Sequence, residues 1–253
     1  PNLGSDTAIC SYSSINLSLP KTYVAYNWNT GEADPTKELL FPGDQYQGLD
    51  SSLISVQVTD TNNCLGSDSI LVYSYPRPKA KPRRINNSQC LTINSFDLLD
   101  SSEISFGSIA AYGWYLDNNL ISTTKDTMNL RFSVAGSFSY KQSVESGFGC
   151  KDTSQPLDIF VRPMPVAQFV IDTATLCERG NVFDIDYQGS ITAGTVSKLW
   201  SYGDGVTSTT AEDTLKTYAT FGAYPVRLEL ISDFDCRDTV EQTLTVYAQP
   251  NAQ

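Results

Sequence analysis

Apolar and polar residues alternate along many short stretches of this chain. In residues 52–59, for example, Ile54, Val56 and Val58 are separated by Ser55 and Gln57. A period of two places alternate side chains on one face of a β-strand. Clusters of Gly, Pro, Asn and Asp end these stretches, and no segment keeps a helical period. The pattern predicts an all-β protein built from antiparallel sheets.

A longer period divides the chain into three. Each tryptophan is followed 36 residues later by a cysteine, and the tryptophans and these cysteines are each spaced 86 residues apart. The set consists of Trp28, Trp114, Trp200, Cys64, Cys150 and Cys236. A fixed period of this kind marks a structural repeat. It predicts three tandem antiparallel β-sandwich domains at residues 1–77, 78–164 and 165–253, each with its tryptophan in the core.

Alignment of the three repeats on the late cysteine predicts the buried face of the strand before it. The sixth residue upstream is Val58, Val144 or Leu230, which is apolar in all three copies. The eighth upstream is Val56 in the first repeat but Gln142 in the second. Gln142 interrupts the apolar face, and we interpret it as a local bulge or a position at the rim of the sandwich.

Proline-containing segments separate the repeats. The sequence reads Pro-x-Pro at 76–78 and again at 163–165. Proline cannot donate a hydrogen bond to a sheet, so both segments are predicted to be stiff, extended linkers. We expect proteases to cut near Pro76 or Pro163 before they cut inside a repeat.

Each repeat contains one early and one late cysteine, and six cysteines permit 15 pairings. The repeat favours a bridge within each unit, between an entry loop and a hairpin tip at the same end of the sandwich; free thiols are the alternative. The predicted pairs are Cys10 with Cys64, Cys90 with Cys150, and Cys177 with Cys236. No pair has the CxxC spacing of a zinc or redox site. Disulfides indicate an oxidising location outside the cytoplasm.

Charge and hydropathy exclude two classes of partner. The chain of 253 residues has 28 acidic and 17 basic side chains, for a net charge of −11. Such an acidic protein repels phosphates, so nucleic acid is not an expected partner. No apolar run reaches the 18 residues of a membrane span, so membrane insertion is not expected. Because the sequence starts at Pro1 and linker-like residues stand at both ends, we interpret it as a piece of a longer exported protein.

The third repeat resembles the PKD domain, an immunoglobulin-like (Ig-like) β-sandwich. The matching stretches are Trp200–Gly205, which reads WSYGDG, Thr217–Tyr218, Phe221–Val226 and the hairpin tip Asp235–Thr239. The first two repeats keep the tryptophan but lose most of the motif, and are PKD-like or Ig-like. The tandem, cysteine-containing form is similar to repeats of large surface adhesins from bacteria of the Bacteroidota type. This resemblance implies spacers and binding modules that are exported to the cell surface.

Little in the sequence points to catalysis. The chain has no histidine, which excludes every His-dependent triad and metal site. Asp184 and Asp186 lie two apart on one predicted strand, where a solvent-facing edge is favoured over an acid–base pair. No catalytic residue and no cofactor are therefore predicted. Calcium is the one ion considered, because carboxylate oxygens on loops suit hard cations. Its candidate ligands, with ordinary solvated aspartates as the alternative, are Asp204, Asp233, Asp235 and Asp238.

These features together favour a non-catalytic structural and adhesive role. We expect the chain to be a repeat segment of a long secreted filament or appendage on a bacterial cell surface, used for attachment, gliding or prey capture. Its expected partners are neighbouring repeats of the same chain, with a homo-oligomeric fibre and surface glycans or proteins as further candidates. The alternative function is a spacer or glycan-binding module of a secreted multidomain enzyme.

Overall fold

A computed structural model describes residues 1–41, 48–210 and 214–250, and strands dominate all three of these ranges. The first predicted repeat contains β1 (Thr7–Cys10), β2 (Ser14–Ser18), β3 (Ala25–Trp28), β4 (Thr36–Leu40), β5 (Asp50–Thr59) and β6 (Leu65–Tyr75). The second contains β7 (Pro82–Arg84), β8 (Ser88–Cys90), a 3-10 turn (Leu91–Ile93), β9 (Phe96–Asp100), β10 (Ile109–Leu116), β11 (Asn119–Ser122), β12 (Thr127–Leu130), β13 (Gly136–Ser146), β14 (Lys151–Thr153) and β15 (Leu157–Arg162). The third contains β16 (Phe169–Ile171), β17 (Thr175–Cys177), β18 (Phe183–Tyr187), β19 (Val196–Ser201), β20 (Thr207–Ser208), β21 (Thr214–Lys216), β22 (Gly222–Ser232) and β23 (Arg237–Tyr247).

The first repeat is a two-sheet sandwich. One sheet has the order β1-β6-β5-β3 and the other pairs β2 with β4. Among its described residues, the pairings are antiparallel except that of β1 with β6, which is parallel. The alternation seen in the sequence places one face of β5 inside, so that Ile54, Val56 and Val58 are buried around Trp28. Trp28 lies opposite Val56 in the sheet.

The third repeat has the same plan. Its larger sheet has the order β17-β23-β22-β19-β20, with β17 parallel to β23, and its smaller sheet has the order β16-β18-β21. Trp200 is 1% exposed and lies opposite Leu228. The rings of Phe169 and Trp200 meet edge to face with centroids 5.2 Å apart, a geometry that aromatic pairs prefer.

The second repeat contains equivalent pairings. Strand β10 pairs antiparallel with β11 and β13, and β15 pairs parallel with β8. The indole N–H of the fully buried Trp114 donates to the carbonyl oxygens of Thr124 and Lys125, each at 3.1 Å. The indole N–H of Trp28 likewise donates to the carbonyl oxygen of Asp34, at 2.9 Å. Both tryptophans therefore fill the core while backbone carbonyl oxygens of a loop further along the chain accept the indole N–H.

Gln142 is a core residue and not a rim position. It is 0% exposed and lies opposite Trp114, where the other repeats have Val56 and Leu228. Its Nε2 donates to Oδ1 of Asp100 at 2.8 Å, and its Oε1 accepts from the Ser102 hydroxyl at 3.2 Å. Because a buried amide is costly only when it lacks partners, this network explains how a polar side chain replaces an aliphatic one.

The chain forms two compact units. The first comprises Pro1–Ile85, Asp97–Met128 and Ser139–Asp158, and the second comprises Asn86–Phe96, Asn129–Phe138 and Ile159–Gln253. The division runs through the second predicted repeat, whose strands belong to both units. The repeat boundaries at 77 and 164 stay predictions from the sequence period.

Candidate functional site: the cysteine joints

The disulfides join consecutive repeats. Cys10 is bonded to Cys150 and Cys90 to Cys236, each with 5.6 Å between the Cα atoms, while Cys64 and Cys177 are free and exposed. The prediction of one bridge within each repeat, namely Cys10–Cys64, Cys90–Cys150 and Cys177–Cys236, is therefore wrong. We call each bridge with its surrounding residues a joint; the first lies wholly in the first compact unit and the second wholly in the second.

Strand direction explains why a repeat does not close its own bridge. Cys10 ends β1 and lies opposite Tyr75, the last residue of β6, whereas Cys64 comes immediately before β6. The two cysteines of the repeat are thus at opposite ends of an 11-residue strand, about 35 Å apart at the usual rise per residue. A disulfide needs Cα atoms within about 7 Å. The third repeat repeats this geometry, since Cys177 lies opposite Tyr247 and Cys236 precedes β23.

A tight turn presents the late cysteine in each joint. In the first, the Ser146 N–H donates to the carbonyl oxygen of Cys150 at 2.8 Å, and the Gly149 N–H donates back to the carbonyl oxygen of Ser146 at 2.9 Å. Gly149 has φ +80°, the left-handed region that Gly, Asn and Asp adopt most readily. Ser232 and Asp235 make the same two bonds in the second joint, with Asp235 at φ +61°. The residues before the two bonded late cysteines, Cys150 and Cys236, therefore form the same turn.

An aromatic residue two positions before the late cysteine completes each joint. The Phe148 ring stacks on Tyr75 with centroids 3.9 Å apart and planes 6° from parallel. In the second joint the Arg162 guanidinium lies 4.0 Å from the Phe234 ring centroid, a cation–π contact. Tyr75 lies opposite Cys10 and Arg162 lies opposite Cys90, so the two contacts are equivalent. Sequence reasoning missed these residues, although the shared Phe-x-Cys spacing was a usable signal.

The first linker is a packed part of its unit. Pro76 and Pro78 are buried. Between them, Arg77 donates from Nε to the carbonyl oxygen of Ser11 at 2.7 Å, from Nη2 to the Ser13 hydroxyl at 3.0 Å, and from Nη1 to the carbonyl oxygen of Lys151 at 3.2 Å. Arg77 thus ties the linker to both the first repeat and the hairpin that carries Cys150.

The backbone after each linker is held by an aspartate. The Ala80 N–H donates to Oδ2 of Asp152 at 2.8 Å, and the Ala167 N–H donates to Oδ2 of Asp238 at 2.7 Å. Both aspartates lie two positions after a late cysteine. Asp238, a candidate calcium ligand, therefore has one carboxylate oxygen engaged by the backbone.

The WSYGDG stretch forms a sharp turn closed by an ion pair. Oδ2 of Asp204 lies 2.7 Å from Nζ of Lys216, and its Oδ1 accepts from the Val206 N–H at 3.1 Å. Burial tends to raise the pKa of Asp204, but the hydrogen bonds from Lys216 and Val206 and the Lys216 charge outweigh it and hold that pKa below its usual value. Lys216 Nζ also lies 5.0 Å from the Tyr202 ring centroid. Asp204 therefore stabilises the turn.

The four calcium candidates are not gathered into an ion site. Asp204 pairs with Lys216, and Asp238 holds the Ala167 N–H. Asp235 provides the left-handed turn residue, and the backbone N–H of Asp233 donates to the carbonyl oxygen of Thr195 at 3.1 Å. Among the residues described here, no group of three or more carboxylate, thiol or imidazole side chains is arranged to hold a metal ion. Within the same residues, no helix is long and apolar enough to cross a bilayer.

Comparison with known proteins finds one matching family model and similar solved structures. The PKD domain family matches residues 162–247. A three-Ig fragment of titin aligns over 97% of this chain and 96% of its own, with 12% identity and a TM-score of 0.49. The PKD1 domain of the Vibrio cholerae metalloprotease PrtV aligns over 33% of this chain and 96% of its own, with 31% identity and a TM-score of 0.29.

A longer array of Ig domains gives a similar result. The N-terminal eight Ig domains of Down Syndrome Cell Adhesion Molecule align over 98% of this chain and 36% of their own, with 11% identity and a TM-score of 0.50. No curated protein matches the sequence. With the sheets described above, these findings identify the chain as an all-β tandem of Ig-like and PKD-like repeats, with the PKD match at residues 162–247.

Proposed function

We propose that this chain is a load-bearing, non-catalytic segment of an extracellular adhesive filament or appendage on a bacterial cell. The observation that carries the proposal is the pairing of cysteines across consecutive repeats. The Cys10–Cys150 bond spans the first linker, at 76–78, and the Cys90–Cys236 bond spans the second, at 163–165. Disulfides of this kind persist outside the reducing cytoplasm, which supports an exported location.

Covalent topology makes this pairing suited to tension. If each repeat closed its own bridge, both linkers would lie in series with the load. With the observed pairs, the shortest covalent path from Cys10 to Cys236 crosses to Cys150, returns to Cys90 and crosses again. That path bypasses both linkers. A broken or extended linker therefore does not separate the chain while the bridges are intact.

Strand geometry adds resistance before any bridge is loaded. In the first repeat, the entering strand β1 and the leaving strand β6 are parallel neighbours, with Thr7 opposite Val72 and Cys10 opposite Tyr75. Pulling the start of β1 away from the end of β6 slides one strand along the other. Several backbone hydrogen bonds must then break together. The pairing of β17 with β23 gives the third repeat the same arrangement.

The adhesive part of the proposal rests on the class of fold and on the surface. Tandem Ig-like and PKD-like repeats are typical of extracellular structural and binding modules. The acidic surface of this chain disfavours anionic partners and leaves glycans or proteins as candidate ligands. Attachment, gliding and prey capture are the roles we propose for the assembled filament.

Single-molecule stretching between the chain termini tests the mechanical proposal. Cys10 and Cys236 are 226 positions apart, so a reduced, unfolded chain spans about 770 Å between them. In the oxidised chain the limiting path is the 60 positions from Cys90 to Cys150, or about 200 Å. We expect the oxidised chain to stop near the shorter length and to lengthen when a reductant is added.

A chain carrying Cys10→Ser and Cys90→Ser is the matched control, since it should reach the longer limit without reductant. An oxidised wild-type chain that extends to the longer limit, or that ruptures at forces no higher than this control, would overturn the load-bearing proposal. Screening the oxidised protein on a glycan array tests the adhesive part separately.

A further inference from the structure

A groove crosses the outward face of a sheet in the second repeat. Trp114 of β10 points into the core, so its neighbours Gly113 and Tyr115 point outward. Strand β11 pairs with one side of β10 and β13 pairs with the other, while β14 pairs with β13. The groove has a volume of about 320 Å³, which is within the range of small-molecule sites. It lies wholly in the first compact unit.

Two small residues form the floor of the groove. Gly113 of β10 lies opposite Ser143 of β13. The equivalent cross-strand pairs of the first and third repeats are Asn27 with Gln57 and Leu199 with Glu229. Because side chains stand roughly perpendicular to a sheet, these longer side chains extend into the space that Gly113 and Ser143 leave open. The second repeat thus has its smallest residues where the other two have large ones.

An aromatic ring lies over this floor. A Cβ built on Gly113 would lie 3.1 Å from Cε2 and 3.3 Å from the hydroxyl oxygen of Tyr115, and 2.7 Å from Oγ of Ser143. The Tyr115 ring therefore leans along the strand and occupies the space that the glycine leaves. Tyr115 is half-buried, and Leu120, which lies opposite it on β11, is 55% exposed. These two side chains give the groove an apolar side that is open to solvent.

The opposite side of the groove is polar. Lys151 of β14 lies opposite Glu145 of β13, and its Nζ is 3.2 Å from Oε2 of Glu145. Their side chains are 70% and 38% exposed, so both charged groups reach solvent. Thr153 lies opposite Ser143 and adds a hydroxyl group to this side. The carboxylate accepts hydrogen bonds and the ammonium donates them, while the pair as a whole carries no net charge.

We propose that the groove binds one neutral pyranose unit of a surface polysaccharide. A pyranose has an apolar face of C–H bonds, which packs against aromatic rings, and a rim of hydroxyl groups, each of which donates and accepts hydrogen bonds. Tyr115 and Leu120 match the apolar face, and Glu145 and Lys151 match two neighbouring hydroxyl groups. An anionic sugar is disfavoured because the chain has a net charge of −11.

The inference rests on the adhesive part of the proposed function, to which it adds a class of ligand and a site. The load-bearing part does not depend on it, because the stretching experiment measures covalent paths and not the groove.

The equivalent face of the first repeat lacks the aromatic and charged groups of the groove. It has a depression of about 330 Å³, whose outward lining consists of amide and hydroxyl side chains. Asn29 stands where the second repeat has Tyr115, and its side chain is hydrogen-bonded to the backbone of Leu53 and Ser55. The third repeat has Ser201 at this position. We therefore expect the second repeat, and not the equivalent faces of the other two, to bind the sugar.

Binding is measured with the oxidised full chain in two steps. An array of neutral, sialylated and sulfated glycans identifies those that the chain retains, and calorimetric titration then gives the affinity for the best neutral oligosaccharide in solution. We expect retention of neutral glycans. An array on which no neutral glycan is retained overturns the inference, whether or not charged glycans bind, and leaves the load-bearing function to be decided by stretching.

Filling the floor of the groove locates the site. Ser143→Gln introduces the residue that the first repeat has at this position, and should lower the affinity roughly tenfold because the longer side chain occupies the sugar's space. Ser137→Gln lengthens an exposed serine of the same strand and should leave the affinity unchanged. Both variants are expected to fold, since Gln57 occupies the position equivalent to Ser143 in the first repeat.

The two sides of the groove provide a second readout. Tyr115→Phe keeps the ring and should bind as wild type does, whereas Tyr115→Ala should lose roughly tenfold in affinity. Lys151→Met removes an exposed ammonium and should lose about threefold. Thermal unfolding checks that each variant is folded. If a neutral glycan binds but neither Ser143→Gln nor Lys151→Met weakens its binding, the groove is not the site, and the adhesive function then depends on another surface.

Discussion

At the scale of single residues, glycines and small polar networks set the turns of this protein. Gly203 has φ +78°, and a Cβ at this position would lie 2.8 Å from the backbone nitrogen of Pro225 and 2.9 Å from its carbonyl oxygen. Gly205, two residues later, has φ +85° but nothing within 4 Å of an added Cβ. The two glycines of the PKD-like turn therefore have different physical reasons to be glycine.

Gly203→Ala should destabilise the third repeat more than Gly205→Ala does. The first change adds a backbone clash to an unfavourable φ, with an expected loss of about 3 kcal/mol in the free energy of unfolding. The second adds only the unfavourable φ, with a loss of about 1 kcal/mol. Urea unfolding followed by Trp fluorescence measures both. Equal losses would contradict the assignment of the clash to Pro225.

The Asp204–Lys216 pair should make stability depend on pH at the acidic end. The folded-state pKa of Asp204 lies below its ordinary value of 3.8, so the stability that Asp204 contributes is fully present above that value and is lost as the pH falls through the folded pKa. Asp204→Asn should therefore cost about 1 kcal/mol at neutral pH, and the difference from wild type should shrink below pH 3.8.

Unfolding curves of wild type, Asp204→Asn, Lys216→Met and the double variant between pH 7 and pH 3 test this dependence. A difference between wild type and Asp204→Asn that stays constant across this range would contradict the role of the ion pair.

At the scale of elements, the joints depend on strand direction and on the packing of the linker. Because the first and last strands of a repeat pair in parallel, the early cysteine lies at one end of the last strand and the late cysteine lies at its other end. Each early cysteine then meets the hairpin tip of the next repeat, and Arg77 fixes the first linker beside that tip. The linker is therefore part of the joint.

Arg77→Met should weaken the first joint; methionine is the residue that stands between the prolines of the second linker. The variant loses the bonds from the guanidinium to Ser11, Ser13 and Lys151, with an expected cost of about 2 kcal/mol. Arg83→Met, which changes an exposed arginine of β7, should cost less than about 0.5 kcal/mol. Thermal unfolding compares the stability of the two variants, and equal losses would contradict the role of Arg77 in the first joint.

At the scale of the whole molecule, the two bridges enclose overlapping loops. Their cysteines are 140 and 146 positions apart, and the loops share residues 90–150. Chain-entropy arguments assign about 5 kcal/mol to a bridge that closes a loop of this length. Each bridge therefore restricts an unfolded state in which consecutive repeats are unfolded together. The bridges stabilise those repeats jointly, and not each repeat separately.

The oxidised, denatured protein should contain two titratable thiols, and six after reduction. Alkylation before reduction should label Cys64 and Cys177, and peptide mapping without reductant should recover the linked pairs Cys10–Cys150 and Cys90–Cys236. Absence of free thiols together with a Cys10–Cys64 peptide would restore pairing within repeats and remove the physical basis of the joints.

The sequence by itself determined the all-β class, the longer alternating strands, the three-fold period and the tryptophan positions, because these follow from local alternation and fixed spacing. It also placed the late cysteines in turns, but it assigned the early ones to entry loops, whereas each of them ends a strand: Cys10 ends β1, Cys90 ends β8 and Cys177 ends β17. It did not determine which cysteines form disulfides, since the direction of β1 relative to β6 cannot be read from the sequence. It likewise did not place Gln142 in the core, because the partners that satisfy its amide, Asp100 and Ser102, are 40 or more positions away. Tertiary structure alone decided both, because pairing and burial depend on distances between residues remote in the chain.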